Sequence, residues 1–167
     1  LTVGQVQRIL QNLLAEGISI RNFAGILEKV GDYAHLTKNP DELSEHARRA
    51  LGPQLAKPFQ QENGALRAIT LDPRLEQQIA QGLRQSPSEI SLTMEPRLAR
   101  HVVDSLSKFV SQMVATGHAP VVLCAPQIRL AFRRFFETTF ADLAVLAYNE
   151  VPARVEVQNT AVVPCPE

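Results

Sequence analysis

The sequence has few of the residues that usually carry catalysis or cross-linking. Its 167 residues include two cysteines, two tyrosines and no tryptophan, and its basic and acidic side chains balance at 17 each. Two cysteines form no disulfide framework, so a reducing compartment fits better than an oxidising one. The charge is also balanced locally, with 8 basic and 7 acidic residues in 1–68 and 9 and 10 in 69–167. We therefore expect no broad surface for nucleic acid or another polyanion.

Signals for membranes and metals are equally scarce. No stretch approaches the roughly 20 apolar residues that a membrane helix needs. Arg8, Gln11 and Asn12 interrupt the N-terminus where a signal peptide would be apolar. Because the sequence opens at Leu1, we interpret it as a piece of a longer protein, with any membrane anchor outside it. Its histidines and cysteines show no CxxC or HExxH spacing, so we predict neither a metal nor another cofactor.

Hydrophobic periodicity predicts three short helices at the start of the chain. Apolar residues recur at helical spacing over 2–16 and again over 18–34, and Gly17 between them suits a left-handed helix stop. A third helix begins at Asn39-Pro40 with a polar cap and proline at its first position, and it ends before Gly52-Pro53. These helices predict one small shared core.

The rest of the chain mixes strands and helices. We predict a loop over 53–64, a strand over 66–71, a helix from Asp72 to about Leu83, a polar connection over 84–94, a helix over 96–116, a strand over 121–124, a helix over 126–138, a strand over 145–148 and a further strand within 155–163. Strand, helix and strand in the last third predict a parallel crossover. The predicted fold class is α+β, with a small helical subdomain followed by an α/β subdomain that has a few-stranded, partly parallel sheet.

Cys124 is the one candidate for chemistry. It ends an apolar strand and precedes a helix that carries Arg129, which is the layout of a thiolate phosphate site. Against this, only four residues separate Cys124 from Arg129, one of them is Pro126, and the loop has no glycine to bring backbone amides close to a phosphate. A small apolar residue at the end of a buried strand is the favoured interpretation, and we predict no catalytic residue. A cysteine-dependent enzyme using Cys124 and Arg129 is the alternative of another class.

Two further patterns have a functional and a structural interpretation. The helices within 2–33 could form a helix-turn-helix in which Arg21 and Asn22 read bases, but Glu28 and the absence of surrounding basic residues favour simple three-helix packing. Arg129, Arg133 and Arg134 form a local basic face, for which a solvated helix surface is favoured over a site for an acidic partner.

Five ordered stretches carry a resemblance to a known family. These stretches resemble segments of the flagellar and type III secretion export-gate family, and they occur in the family's order. They are LQNLLAEGISIRNFAGILEKVGDYA, ELSEHARRALG, ITLDPRLEQQI, PVVLCAPQIRLAFRRFFE and VLAYNEVP. They cover nearly all of 1–163. The YNEVP segment is closer to the flagellar branch, and an injectisome (virulence) homologue is the alternative.

The resemblance implies a function in docking and assembly. It implies a protein at the cytoplasmic face of the bacterial inner membrane, whose cytoplasmic region forms a nine-membered ring beneath the pore. That ring would receive export chaperone–cargo complexes and components of the export ATPase complex, and the chain would touch the membrane only through a region absent here. By the same resemblance, residues 1–70 and 71–167 are the last two cytoplasmic subdomains, Arg21, Asn22 and Glu28 are candidate ring contacts, and Asp72 and Pro73 are a candidate hinge.

Overall fold

Three amphipathic helices form the N-terminal part of the fold. In the computed structural model, which describes residues 1–167, helix α1 spans Val3–Ala15, α2 spans Phe23–Tyr33 and α3 spans Pro40–Ala50. The predicted caps are present, because the side chains of Thr2 and Asn39 accept hydrogen bonds from backbone amides of their helices. Gly17 has a φ of 75°, which confirms the left-handed stop.

The core of these three helices is their own. Helices α1 and α2 both pack chiefly on α3. The buried apolar residues between them are Ile9, Leu13, Ile18, Ile26, Val30, Leu43 and Ala47. The predicted three-helix packing is therefore confirmed, and it differs from a helix-turn-helix, in which the first two helices pack on each other.

Part of the segment predicted as a loop is helical. Helix α4 spans Gly52–Ala56, and a 3-10 turn follows over Lys57–Phe59. Ala56 is fully buried against the sheet, with Leu55 and Phe59 packed beside it. Tertiary packing stabilises this five-residue helix, which is too short to be recognised from its sequence.

The remaining elements alternate between strands and helices. In chain order they are β1 (Leu66–Leu71), α5 (Pro73–Gln81), β2 (Leu83–Gln85), β3 (Ile90–Leu92), α6 (Pro96–Ala115), β4 (Val121–Cys124), α7 (Arg129–Phe136), β5 (Ala144–Ala147) and β6 (Val157–Val163). The main prediction that failed here is the polar connection over 84–94, because β2 and β3 pair as a short antiparallel hairpin over 83–92. No helix of the structure is both long enough and apolar enough to cross a bilayer.

Four parallel strands form the sheet that organises the second half. Their order is β5-β4-β1-β6, and each neighbouring pair is parallel, which confirms the crossover from β4 through α7 to β5. Helices α5, α6 and α7 cover one face, where Ile69, Val122 and Cys124 point. The opposite face, with Leu66 and Leu123, is covered by α4 and the turn after it. The predicted α+β class is confirmed.

The boundary predicted between residues 70 and 71 falls inside strand β1. Five of the six residues of that strand lie before the boundary, yet the strand pairs with β4 and β6. Helix α4 also lies before the boundary, and it packs on the sheet. The division into 1–70 and 71–167 remains a prediction from the resemblance. Hereafter α1–α3 are called the helical unit, and residues 52–163 are called the sheet unit.

Candidate functional site: a charged interface between the helices and the sheet

The helical unit meets the sheet unit largely through charged side chains. Four arginines and four carboxylates form ion pairs there, and we call them the interface network: Arg48, Arg129, Arg133, Arg134, Glu16, Asp41, Glu45 and Glu150. The network carries no net charge. Most of its members come from α3 and α7, while Glu16 follows α1 and Glu150 follows β5.

Arg129 lies at the centre of the network and is completely buried. Its guanidinium donates two hydrogen bonds to Glu16 at 2.8 Å, and two to Glu45 at 2.8 and 2.7 Å. A fifth goes to the backbone carbonyl of Val145 at 3.0 Å. Since arginine has five N–H donors, every one has an acceptor. Arg129 thus joins α1, α3 and the edge strand β5 through one side chain.

Arg48 makes a second connection at the same edge of the sheet. Its Nε donates to Glu150 Oε2 at 2.8 Å, and its Nη1 lies 3.4 Å from Glu16 Oε1. Glu150 Oε1 in turn accepts the backbone N–H of Ala147 at 2.9 Å. Together with Arg129, these side chains cover the backbone of β5, so this edge is closed to pairing with another strand.

Arg134 and Asp41 form the third connection. Arg134 donates to both carboxylate oxygens of Asp41, at 2.6 and 2.9 Å, and the Asp41 side chain is fully buried. Asp41 also accepts the backbone N–H of Ile90 at 2.8 Å and the side-chain amide of Asn12 at 2.9 Å. The interface thus extends from β5 to the β2–β3 hairpin.

The arginines keep Glu16 and Asp41 ionised despite their burial. Burial alone would raise the pKa of Glu16, but the charge and hydrogen bonds of Arg129, with the charges of Arg48 and Arg133, outweigh it and lower that pKa. Burial would also raise the pKa of Asp41, but the hydrogen bonds from Arg134 and from the Ile90 amide outweigh that effect and lower it. Burial would lower the pKa of Arg129, but Glu45 and Glu16 raise it. Glu16 and Asp41 therefore remain ionised at neutral pH.

The network was not visible in the sequence. The prediction of a solvated basic face for Arg129, Arg133 and Arg134 is wrong, because these side chains pack against acidic residues from distant parts of the chain. The predicted pair of Arg133 with Glu137 is present at 3.3 Å. One signal was available: Glu16 follows the C-terminal end of α1, where the helix dipole disfavours a carboxylate that has no cationic partner.

The structure does not support a thiolate site at Cys124. Its side chain is fully buried, and burial raises the pKa of its thiol well above the ordinary value. Helix α7 begins only at Arg129, so Cys124 does not lie at a helix N-terminus. The donors of Arg129 are all engaged elsewhere, as described above. The prediction that Cys124 is a core residue at a strand end is confirmed.

The candidate ring contacts lie on the helical unit. Arg21, Asn22 and Glu28 are all exposed, and the Asn22 side chain also caps α2 by accepting the Gly25 N–H at 3.2 Å. Nothing in the chain pairs with the side chains of Arg21 or Glu28 in a salt bridge. Arg21 and Glu28 are therefore free to meet a partner, and the role of all three residues remains a prediction.

The candidate hinge lies at the end of a central strand. Asp72 follows β1, donates its N–H to the Val163 carbonyl at 2.9 Å, and caps α5 by accepting the Arg74 N–H at 2.9 Å. Pro73 is exposed at the first position of α5. A hinge here would have to break these bonds, and the role remains a prediction.

A groove lies beside the network, between the two units. Its volume is about 390 Å³, and both units contribute to its walls, with Ala15 and Ile18 on one side and Leu143 and Val145 on the other. Glu16, Arg48 and Arg133 also line it, so part of the network borders open space.

Comparison with known proteins identifies the family. The model of the FHIPEP family matches residues 1–156 of the chain. The chain belongs to the FHIPEP family. This FHIPEP chain is 39% identical to the flagellar biosynthesis protein FlhA of Bacillus subtilis, over 98% of its own length and 24% of that protein's. It is 33% identical to FlhA of Borreliella burgdorferi, over 93% of the chain and 22% of that protein. The invasion protein InvA of Salmonella typhimurium is 28% identical over 90% of the chain and 22% of InvA.

Solved structures of relatives share the fold. The Chlamydia pneumoniae CdsV protein, solved in complex with CdsO, has a TM-score of 0.79 and 27% identity, covering 97% of this chain and 48% of that one. The cytosolic domain of EscV from the type III secretion system, solved as a nonamer, has a TM-score of 0.69 and 25% identity, over 93% of this chain and 46% of that one. The chain thus spans about a quarter of the curated relatives and about half of these solved chains.

Proposed function

We propose that this FHIPEP chain is part of the cytoplasmic region of a type III protein-export gate. It would lie at the cytoplasmic face of the bacterial inner membrane and act by docking and assembly rather than by catalysis. The observation that carries this proposal is the similarity to FlhA, which runs over 98% of the chain at 39% identity. The absence of a usable nucleophile at Cys124, whose side chain is buried, supports a non-enzymatic role.

The flagellar branch is favoured over the injectisome branch. The FlhA proteins of Bacillus subtilis and Borreliella burgdorferi are 39% and 33% identical to the chain. Virulence relatives, the low calcium response locus protein D of Yersinia pestis and InvA of Salmonella typhimurium, are 28% identical. The difference favours a role in building flagella.

The proposed partners are copies of the same protein and components of the export machinery. A nonameric relative supports ring assembly, and the complex of CdsV with CdsO supports a partner that corresponds to CdsO among the export ATPase-complex components. Export chaperone–cargo complexes are further proposed partners, from the family resemblance alone. The membrane would be reached only through a part of the protein outside this sequence.

Sedimentation of a longer protein tests the ring. The chain would be extended at its N-terminus to the full cytosolic length of its relatives, and sedimentation velocity would be measured over a range of concentrations. We expect self-association that rises with concentration and ends in a nonamer. A protein that stays monomeric throughout, also when the membrane region is supplied, would contradict the ring.

Charge reversal tests the candidate ring contacts within the same assay. Arg21→Glu and Glu28→Arg are preferred to an Asn22 substitution, because losing the Asn22 cap would itself destabilise α2 by about 1 kcal/mol. We expect each reversal to weaken association. Arg154→Glu, at an exposed position of the sheet unit, is the matched control. Equal association of all the variants would remove Arg21 and Glu28 from the interface.

A further inference from the structure

The helical unit and the sheet unit have separate apolar cores. The core of the helical unit contains no residue beyond Ala47, and the main core of the sheet unit contains no residue before Ile69. Leu55 of α4 touches both the helical core and the back of the sheet. Most of the apolar burial that stabilises each unit is therefore internal to it, and separation of the units would leave both cores intact.

The interface between the units is rich in charged side chains. Arg129, Arg48 and Arg134 all span it, each bonded to a carboxylate. A buried ion pair adds little net stability, because the attraction mainly offsets the cost of taking both charges out of water. Charged groups recover their hydration when they separate, whereas apolar groups do not. Such an interface fixes one arrangement and still opens at a lower cost than an apolar interface.

Two pockets border the network. The groove of about 390 Å³ is lined by Glu16, Arg48 and Arg133 among others. A smaller cavity of about 40 Å³ is lined by Asn12, Glu16, Arg133 and Leu130 among others. Solvent can therefore enter beside Glu16 and Arg133 as the ion pairs separate.

The chain has a natural pivot between the units. Leu51 is the single residue between α3 and α4, and it caps the end of the first helix and the start of the second. Beyond it, α4 packs on the sheet unit, since Gly52 lies against the backbone of Glu150 and Ala56 is buried in the core on the back of the sheet. A rotation of the helical unit would thus be taken up at Leu51 and Gly52.

We propose that the interface network is an ionic latch, which holds the helical unit on α7 and β5 and releases it without unfolding either unit. The latch concerns motion within the chain, so it does not depend on the proposed export function. Release would pivot at Leu51 and Gly52, break the bonds of Arg129, Arg48 and Arg134, and expose the apolar walls of the groove.

Thiol labelling at two positions tests the latch. Leu130 on α7 is 5% exposed, borders the small cavity beside α1, and lies outside the main sheet core. In a Leu130→Cys variant, labelling at position 130 reports separation of the units. Labelling of Cys124, buried within the sheet core, reports opening of the sheet unit itself. Mass spectrometry of peptides would follow both rates in the folded 167-residue protein.

We expect labelling at position 130 to be at least about tenfold faster than at Cys124. Adding Glu45→Gln, which removes one of the two carboxylates on Arg129, should raise the rate at position 130 about tenfold or more, since a hydrogen bond to a charged group is lost. The rate at Cys124 should change less. Arg74→Gln is the matched control, because the pair of Arg74 with Asp72 is exposed and lies outside the interface. It should change neither rate.

Two results would overturn the latch. Equal labelling of both positions, rising equally with Glu45→Gln, would show that the units open only by global unfolding. Fast labelling at position 130 whose rate is unchanged by Glu45→Gln would show that the network does not control the opening. If Leu130→Cys fails to fold, exchange of the Ile90 amide gives the same test in the unaltered protein. That amide donates to Asp41 across the interface, so it should exchange faster than the amides of β1 and β4 if the latch opens.

Discussion

At Arg129, five N–H donors meet five acceptors in a site without solvent exposure. An arginine of this kind is costly to bury alone and stable only with its partners. Glu16 and Glu45 depend on it in turn, because each accepts two of its hydrogen bonds. The three residues therefore behave as one group, and single substitutions should be more damaging than a matched set.

Arg129→Met should destabilise the protein by about 3–5 kcal/mol, because it leaves Glu45 without its counter-charge and removes from Glu16 the nearest of its three arginines. The same substitution combined with Glu16→Gln and Glu45→Gln should recover part of that loss. Urea unfolding followed by circular dichroism measures both. Arg74→Gln, in an exposed ion pair, is the control and should unfold like the unaltered protein. A single variant as stable as the unaltered protein would contradict the energetic role of Arg129.

Cys124 should resist alkylation in the folded protein at every pH that preserves the fold. Its thiol is buried and burial raises its pKa, so the reactive thiolate is suppressed. Cys165, which is partly exposed near the C-terminus, is the internal control and should react as pH rises. Mass spectrometry measures both rates. Reaction of native Cys124 at about pH 6, ahead of Cys165, would reopen the enzyme hypothesis.

At the scale of elements, helices α3 and α4 meet where the backbone is tightly packed. A β-carbon added at Gly52 would lie 2.6 Å from the carbonyl oxygen of Glu150, which is too close for any side chain. Gly31 in α2 has open space around it instead. Close packing therefore requires glycine at position 52, whereas no contact requires it at position 31.

Gly52→Ala should therefore destabilise the protein, and Gly31→Ala should stabilise it by roughly 0.5–1 kcal/mol through higher helix propensity. Thermal unfolding compares the two variants directly, and each serves as the control for the other. If Gly52→Ala had no effect on stability, the contact between α4 and the segment after β5 would be loose. Helix α4 would then not be held on the sheet unit, as the pivot at this position requires.

Acid should weaken the interface between the elements. The pKa values of Glu16 and Asp41 are lowered in the folded state, so the unfolded state binds protons more readily. Their stabilising contribution is complete above their unfolded pKa values and is lost as the pH falls through the folded ones, below about pH 5. Urea midpoints measured between pH 7 and pH 3 should fall accordingly. Glu16→Gln should make that decline shallower, and an unchanged slope would contradict the assignment.

The sequence predicted elements better than it predicted their contacts. Periodicity and caps located α1, α2, α3 and the parallel strands, because these signals are local. The β2–β3 hairpin was missed, since its strands have three residues each. Helix α4 was missed because packing on the sheet stabilises it. The interface network joins positions as far apart as Glu16 and Arg129, and no local pattern connects such residues.

At the scale of the whole molecule, two units with their own cores are joined by a neutral set of charges. The predicted hinge at Asp72 and Pro73 would move β1 relative to α5, whereas the proposed latch would move the helical unit at Leu51 and Gly52. Amide exchange separates them. Loss of protection at Asp72, whose N–H is bonded to Val163, would support the predicted hinge, and retained protection there would leave the α3–α4 junction as the pivot.

The measurement that tests the account most directly is binding of the extended protein to its proposed partner. The protein would be lengthened to the cytosolic region of its relatives. It would then be titrated, by isothermal titration calorimetry, with the component of its own organism that corresponds to CdsO. Titration of that component into buffer alone gives the baseline. The account predicts a saturable complex that the extended protein forms with this partner. Absence of binding by a folded extended protein that also remains monomeric would contradict a role in the export gate.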